Sequence, residues 1–269
     1  MRRIDDTPQG TDVPSLDFLS GGDALVVGAS GGLGAAFVRQ LLDRNELRRV
    51  FTWSRSGRTC AADLQPGRRP ELVASRGVDL EREQTVVDAA VGLADRNADL
   101  RLVINAAGLL HDASTGQSPE RRLNQIDAAS LTRSFAINAV GPMLVFREVM
   151  ELVPRRQRSV LMSISARVGS IGDNRLGGWY GYRASKAALN QLHRSLAVEL
   201  GRIRPEAVSL VLHPGTVDTS LSEPFQRSVP EGKLFDADAV TARLLALAAS
   251  ARRDDSGGFF AWNGEPIPW

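Results

Sequence analysis

The chain has very little lysine. Of its 33 basic residues only Lys186 and Lys233 are lysine, and the rest are arginine. Tyrosine is equally scarce: Tyr180 and Tyr182 are the only two, and both lie close before Lys186. Cysteine is rarer still. Cys60 stands alone, so no disulfide can form within the chain, which fits a reducing compartment. Long apolar runs are missing, and none approaches the roughly 18 residues that a spanning helix needs. The opening MRRIDDTPQG has no apolar signal region, so a cytoplasmic location is expected. The three histidines, His111, His193 and His213, have no metal-ligand spacing, and no metal is expected. No G-x-S-x-G elbow supports a hydrolase. Net charge is only +2, and the arginine clusters are scattered without interleaved aromatics, which argues against a nucleic-acid surface.

What is present alternates between two periods. Short apolar strands are expected at 24–28, 49–53, 71–75, 100–105, 159–165, 207–213 and 258–262. Between them lie helical patterns at 32–45, 81–97, about 130–152 (containing Pro142), from the tyrosine stretch to about Arg202, and from an Asp236 cap to Arg252. Buried strands alternating with helices predict an α/β chain, with about seven parallel strands and helices on both faces. No composition break divides it. Residues 1–22 read as a loose polar lead-in, 23–269 as one domain, and 214–235 as a mobile lid.

The junction of the first strand and first helix reads VVGASGGLGAAF, with Gly28, Gly32 and Gly34. Glycine there allows a tight turn and close approach of a pyrophosphate to a helix N-terminus, where free N–H groups favour anions. This predicts a dinucleotide site in a doubly wound, Rossmann-type domain. Further motifs follow in order: NAAG at Asn105 to Gly108, YRASK at Tyr182 to Lys186, and PGTVDT at Pro214 to Thr219. Together they resemble the short-chain dehydrogenase/reductase family, although Val27 replaces that family's threonine before the glycine turn. The stretches SARVGSIGDNRLGGWYGYRASKAALN and LHPGTVDTSLSEPF look like the C-factor and Sniffer-like carbonyl reductase branch.

The resemblance implies cofactor contacts from Gly28, Ser30, Gly32, Leu33 and Gly34, and from Asp79 and Leu80 near the adenine. It also implies contacts from Asn105, Ala106, Ala107 and Gly108, from Tyr182 and Lys186, and from Pro214, Gly215, Val217 and Thr219. Asp79 could instead be a helix cap. From Leu47 to Ala62 there is no acidic residue to accept the ribose hydroxyls of NAD. Ser54 and Arg55 stand there instead, and arginine can pair with a 2′-phosphate, so NADP(H) is favoured over NAD(H).

Hydride delivery to a carbonyl needs a proton donor beside it. Lys186 is four residues after Tyr182, on the same helix face, whereas the position four after Tyr180 is Ala184. Tyr182 is therefore the expected acid, with Lys186 lowering its pKa, and Tyr180 a packing or substrate-facing neighbour. A compact ammonium suits this place better than a planar guanidinium, which explains a lysine in an arginine-rich chain. The resemblance implies that Asn138 distorts the long helix and holds a relay water near the lysine. For the serine that positions the carbonyl, reading along the strand selects Ser165, counting back from Gly169 lands on Ala166, and Ser163 is the fallback. The expected function is an NADP-dependent carbonyl reductase acting on a small carbonyl or alcohol, with pairing into a homodimer. The alternative is a C-factor-like signalling protein on the same fold.

Overall fold

The computed structural model describes residues 15–57 and 70–269. Elements follow in the order β1 (Asp23–Val27), α1 (Gly32–Leu42), β2 (Arg49–Ser54), β3 (Glu71–Arg76), α2 (Glu83–Ala94), β4 (Leu100–Asn105), α3 (Ala128–Phe135), α4 (Gly141–Val149), β5 (Ser159–Ile164), α5 (Tyr180–Ile203), β6 (Ala207–His213), β7 (Thr216–Val217), β8 (Leu234–Phe235), α6 (Ala237–Ser250) and β9 (Gly258–Ala261). Seven strands form one sheet in the order β3-β2-β1-β4-β5-β6-β9, and each neighbouring pair is parallel. Order reverses at β1 and β4, so a crevice opens at their carboxyl ends.

Strands β1, β4, β5 and β6 are apolar on both faces because both faces are covered. Phe37 and Leu41 of α1 and Leu244 and Leu245 of α6 bury one face. Val86 of α2, Val145 and Phe146 of α4 and Leu200 of α5 bury the other. At the amino ends of the strands, opposite the crevice, the buried carboxylate of Asp23 is held by Arg48 at 2.6 Å and Arg49 at 2.7 Å.

One expectation needs correction, and two segments gain detail. The lead-in is not loose throughout: Leu16, the N-cap of a short 3₁₀ turn, and Leu19, its last residue, are both fully buried, because three-residue spacing puts them on one side of that turn. The helix expected over 130–152 is distorted at Asn138, as the resemblance implied, by a π turn at Ala136–Val140, and a 3₁₀ turn at Met150–Leu152 follows α4. Pro142 starts the resumed helix, where a missing N–H costs nothing. Segment 214–235 holds the small β7–β8 pair and a 3₁₀ turn at Glu223–Ser228. Cys60 lies outside the described residues.

Candidate active site

The crevice is a cleft of about 750 Å³ at the carboxyl ends of β1, β2, β4, β5 and β6. Its first wall is the glycine turn. Gly28 has φ of +80°, and a Cβ there would stand 2.6 Å from the Ala107 nitrogen, so the exits of β1 and β4 can touch only without a side chain. A Cβ on Gly32 would stand 2.4 Å from Thr219 Cγ2, which brings the PGTVDT segment against the first turn of α1. Gly31, the N-cap of α1, offers no side-chain cap. The first N–H groups of that helix are thus left for a ligand. Bare backbone and uncapped donors fit a pyrophosphate.

Of the expected cofactor residues, Gly34 and Asn105 do not line the cleft; the others do. Gly34 serves packing, since a Cβ there would meet the Gly28 oxygen at 2.1 Å. Asn105 is fully buried, and both polar atoms of its side chain lack a partner among the described residues. Ser54 is buried and Arg55 exposed at the cleft rim, where Arg55 forms no ion pair among the described residues. Asp79 is not the cap of α2, whose N-cap is Arg82. It accepts from the Glu81 nitrogen at 3.1 Å and lies 3.4 Å from Arg82.

At the other end, α5 brings Tyr182 and Lys186 to the cleft one turn apart. Lys186 is buried and donates from Nζ to the Ile164 carbonyl at 2.9 Å. Its Nζ lies 5.8 Å from the centre of the Tyr182 ring. Burial pushes the Lys186 ammonium down to about 8 and the Tyr182 phenol well above its ordinary value. The direction is opposite to the lowering expected from Lys186, and desolvation is its cause. Tyr180 is 38% exposed and does not line the cleft, so it is not a substrate-facing neighbour.

Asn138 sits in the π turn behind this pair. Its Nδ2 donates to the Leu109 carbonyl at 2.8 Å and to Ser185 Oγ at 3.0 Å, while its Oδ1 accepts from the Leu109 nitrogen at 2.8 Å. A Cβ on Gly108 would stand 3.6 Å from Lys186 Nζ and 3.7 Å from Asn138 Oδ1, so NAAG, lysine and asparagine converge.

Both candidate serines are bonded to α5. Ser165 lines the cleft, but its hydroxyl donates to Asn190 Oδ1 on α5 at 2.8 Å. Ser163 Oγ lies 2.7 Å from His193 Nε2, away from the cleft lining. Ala166 lines the cleft and has no hydroxyl to offer.

Sequence reasoning missed several lining residues. Trp53 is fully buried, with its indole nitrogen unpartnered among the described residues. Trp179, the N-cap of α5, has φ of +53° after Gly177 and Gly178, both also at positive φ. That conformation costs a non-glycine residue roughly 1–2 kcal/mol. It sets the Trp179 ring 6.2 Å from Tyr182 and 5.0 Å from Phe225 of the 214–235 segment. The GGW run was the available signal. Lys233 also lines the cleft, so both lysines of the chain do.

The short chain dehydrogenase family model matches residues 23–229. C-signal of Myxococcus xanthus is 34% identical over 148 residues, 55% of this chain and 83% of that protein. The carbonyl reductase Sniffer of D. melanogaster shares the fold, with a TM-score of 0.75, 22% identity and coverage of 93% of this chain and all of that one. A short-chain dehydrogenase/reductase of Burkholderia multivorans with bound NADP is 26% identical with a TM-score of 0.75, covering 92% of this chain and 99% of that one. The motifs, the parallel sheet and the family match agree: this chain belongs to the short-chain dehydrogenase family of oxidoreductases.

Proposed function

We propose that the protein is an NADP-dependent carbonyl reductase, or alcohol dehydrogenase in reverse, with Tyr182 as its acid and base. The observation that carries this is the Tyr182–Lys186 pair, a half-buried tyrosine and a buried lysine in the same cleft as the glycine turn and Arg55. When bound, the nicotinamide supplies or accepts the hydride. Backbone at Gly28 and Gly32 and the start of α1 would hold the pyrophosphate. Ser54 and Arg55 would hold a 2′-phosphate, and Asp79 and Leu80 the adenine end. The bound NADP of the Burkholderia relative supports the cofactor choice.

Tyr182 holds its proton firmly, because burial disfavours the phenolate. It gives that proton up where a substrate oxygen gains negative charge beside it, and where Lys186 can stabilise the phenolate left behind. The Lys186 bond to Ile164 fixes the ammonium to the end of β5. Asn138 positions α3 and α4 against the NAAG turn through its paired bonds to Leu109. Ser165 holds β5 to α5 through Asn190 and so orients the helix that carries Tyr182. Trp179, Phe225 and Leu221 give the substrate end an apolar, aromatic wall that suits a carbonyl with an apolar substituent. Segment 214–235 acts as a lid. Dimer formation through α4 and α5 belongs to the same proposal, supported by exposed Leu192 and Val198 on α5.

The test is NADPH oxidation against a panel of aldehydes, ketones and quinones, for the wild type and Tyr182→Phe. The variant should lose about 100- to 10,000-fold in rate while its NADPH affinity stays within about three-fold. A variant that keeps more than about a tenth of the wild-type rate overturns the assignment.

A further inference from the structure

Two serine hydroxyls at the carboxyl end of β5 are engaged with α5, that of Ser163 at His193 and that of Ser165, just after the strand, at Asn190, and the next residue is Ala166. Ala166, reached by counting back from Gly169, has no hydroxyl, and the Ser165 hydroxyl is shared with Asn190. One strand over, β6 ends on His213. Ile164 pairs with Leu212, and the Ser165 nitrogen donates to the Leu212 carbonyl at 2.8 Å, so His213 stands beside Ser165 at the same edge. Its imidazole lines the cleft, and its Nδ1 is buried with no partner among the described residues. With Nδ1 shut away from solvent, Nε2 is the ring nitrogen that His213 can offer to the cleft.

The charge state suits that role. Burial first, and the positive charge of Arg167 second, hold His213 down to about 4. The ring is neutral at working pH, with one N–H to donate and one nitrogen to accept. Lys186 bonds the carbonyl of Ile164, next to Ser165, so the Tyr182–Lys186 pair and His213 converge on the ends of β5 and β6.

We infer that His213 is the second group, with Tyr182, that meets the substrate oxygen, taking the place of a serine hydroxyl. The inference rests on the reductase reading. A carbonyl oxygen has two lone pairs, and the two donors fill them. Hydride brings two electrons to the carbonyl carbon, the C=O π pair moves to oxygen, and the proton that oxygen receives comes from Tyr182. His213 keeps its own proton throughout and only polarises the bond.

Two measurements test this. With NADPH and 4-nitrobenzaldehyde, His213→Leu should lower kcat/KM by about 10- to 1,000-fold, the loss expected for one polarising donor. His213→Gln, which keeps an N–H, should recover to within about ten-fold of wild type. Both should bind NADPH with affinity within about three-fold of wild type and melt at similar temperatures. Ser165→Ala should lose less than His213→Leu; the reverse ranking overturns the inference. The second measurement needs no turnover. In histidine-selective ¹⁵N spectra of the NADP⁺-loaded protein, benzyl alcohol should shift the ring nitrogens of His213 and leave those of His193 in place, with assignment by single His→Gln variants. If wild type binds NADPH but reduces no carbonyl, the reductase reading falls. A silent His213 in the alcohol titration overturns this inference alone.

Discussion

Lys186 Nζ donates to the backbone carbonyl of Ile164 at 2.9 Å, tying the second turn of α5 to the last residue of β5. That bond and the small, nearly buried space around it accept an ammonium on a straight stem, where a guanidinium would need a wider set of acceptors. An arginine-rich chain therefore writes lysine here.

The same burial has a pH signature. Lys186 titrates at about 8 in the folded protein, against 10.5 for an exposed lysine. Below pH 8 both states carry the proton, and the folded state bears the full cost of a desolvated charge. Between pH 8 and 10.5 the unfolded chain binds more protons, so stability rises through that window. Wild type should therefore gain about 2 kcal/mol relative to Lys186→Met between pH 7 and 9.5. Urea titrations of both proteins at the two pH values measure it. A constant difference would show that the folded pKa is not depressed. The variant should also be inactive at either pH.

Arg55 governs cofactor choice in the proposed reading. Arg55→Asp removes the cation at the rim and sets a carboxylate where ribose hydroxyls can be accepted and a phosphate is repelled. Wild type should bind NADPH at least about ten-fold tighter than NADH, the worth of a charged hydrogen bond, and the variant should reverse that order. Fluorescence titration with the two reduced cofactors decides the matter. Equal affinities in wild type would count against the role given to Arg55.

How much of this was legible beforehand divides along the range of the interactions. The turn at Gly28 and the pairing of Tyr182 with Lys186 were readable because strand–turn–helix geometry and i to i+4 spacing are local. The interruption around Asn138 and the cap of α6 at Asp236 are local as well. The direction of the Ser165 hydroxyl was not readable, because it depends on where Asn190, 25 residues later, arrives on α5. Nor was the sign of the Tyr182 shift, since desolvation is a property of the assembled cleft rather than of one helix turn. Leu16 and Leu19 looked like a polar lead-in because their neighbours are polar, and only their contact with the core distinguishes them. His213 had no motif to announce it. Its significance comes from being one strand away from two serines whose hydroxyls are already bonded.

His193 accounts for the other serine. Its ring is fully buried between Ser163 Oγ and Ser209 Oγ, each 2.7 Å from a ring nitrogen, and stands edge-on to Phe146 at 5.2 Å. Removing the Ser163 hydroxyl leaves one buried nitrogen unpaired, so Ser163→Ala should cost about 1–3 kcal/mol of stability with little change in kcat. Burial also holds His193 down to about 3, far below the 6.5 of an exposed ring. Below pH 6.5 the unfolded chain takes up a proton that the folded state refuses, so stability falls as pH falls and keeps falling toward pH 3. Moving from pH 7.5 to 5.5 should cost about 1.4 kcal/mol for this histidine, and a similar amount for His213, which is held down to about 4. His193→Asn cannot titrate and should remove one of these two contributions, leaving a shallower acid slope even where its stability at pH 7.5 is lower. Denaturation midpoints at pH 7.5, 6.5 and 5.5 for wild type and variant give the slopes. If the two slopes are equal, His193 is not neutral in the folded protein, and its role as an uncharged bridge between β5, β6 and α5 is wrong.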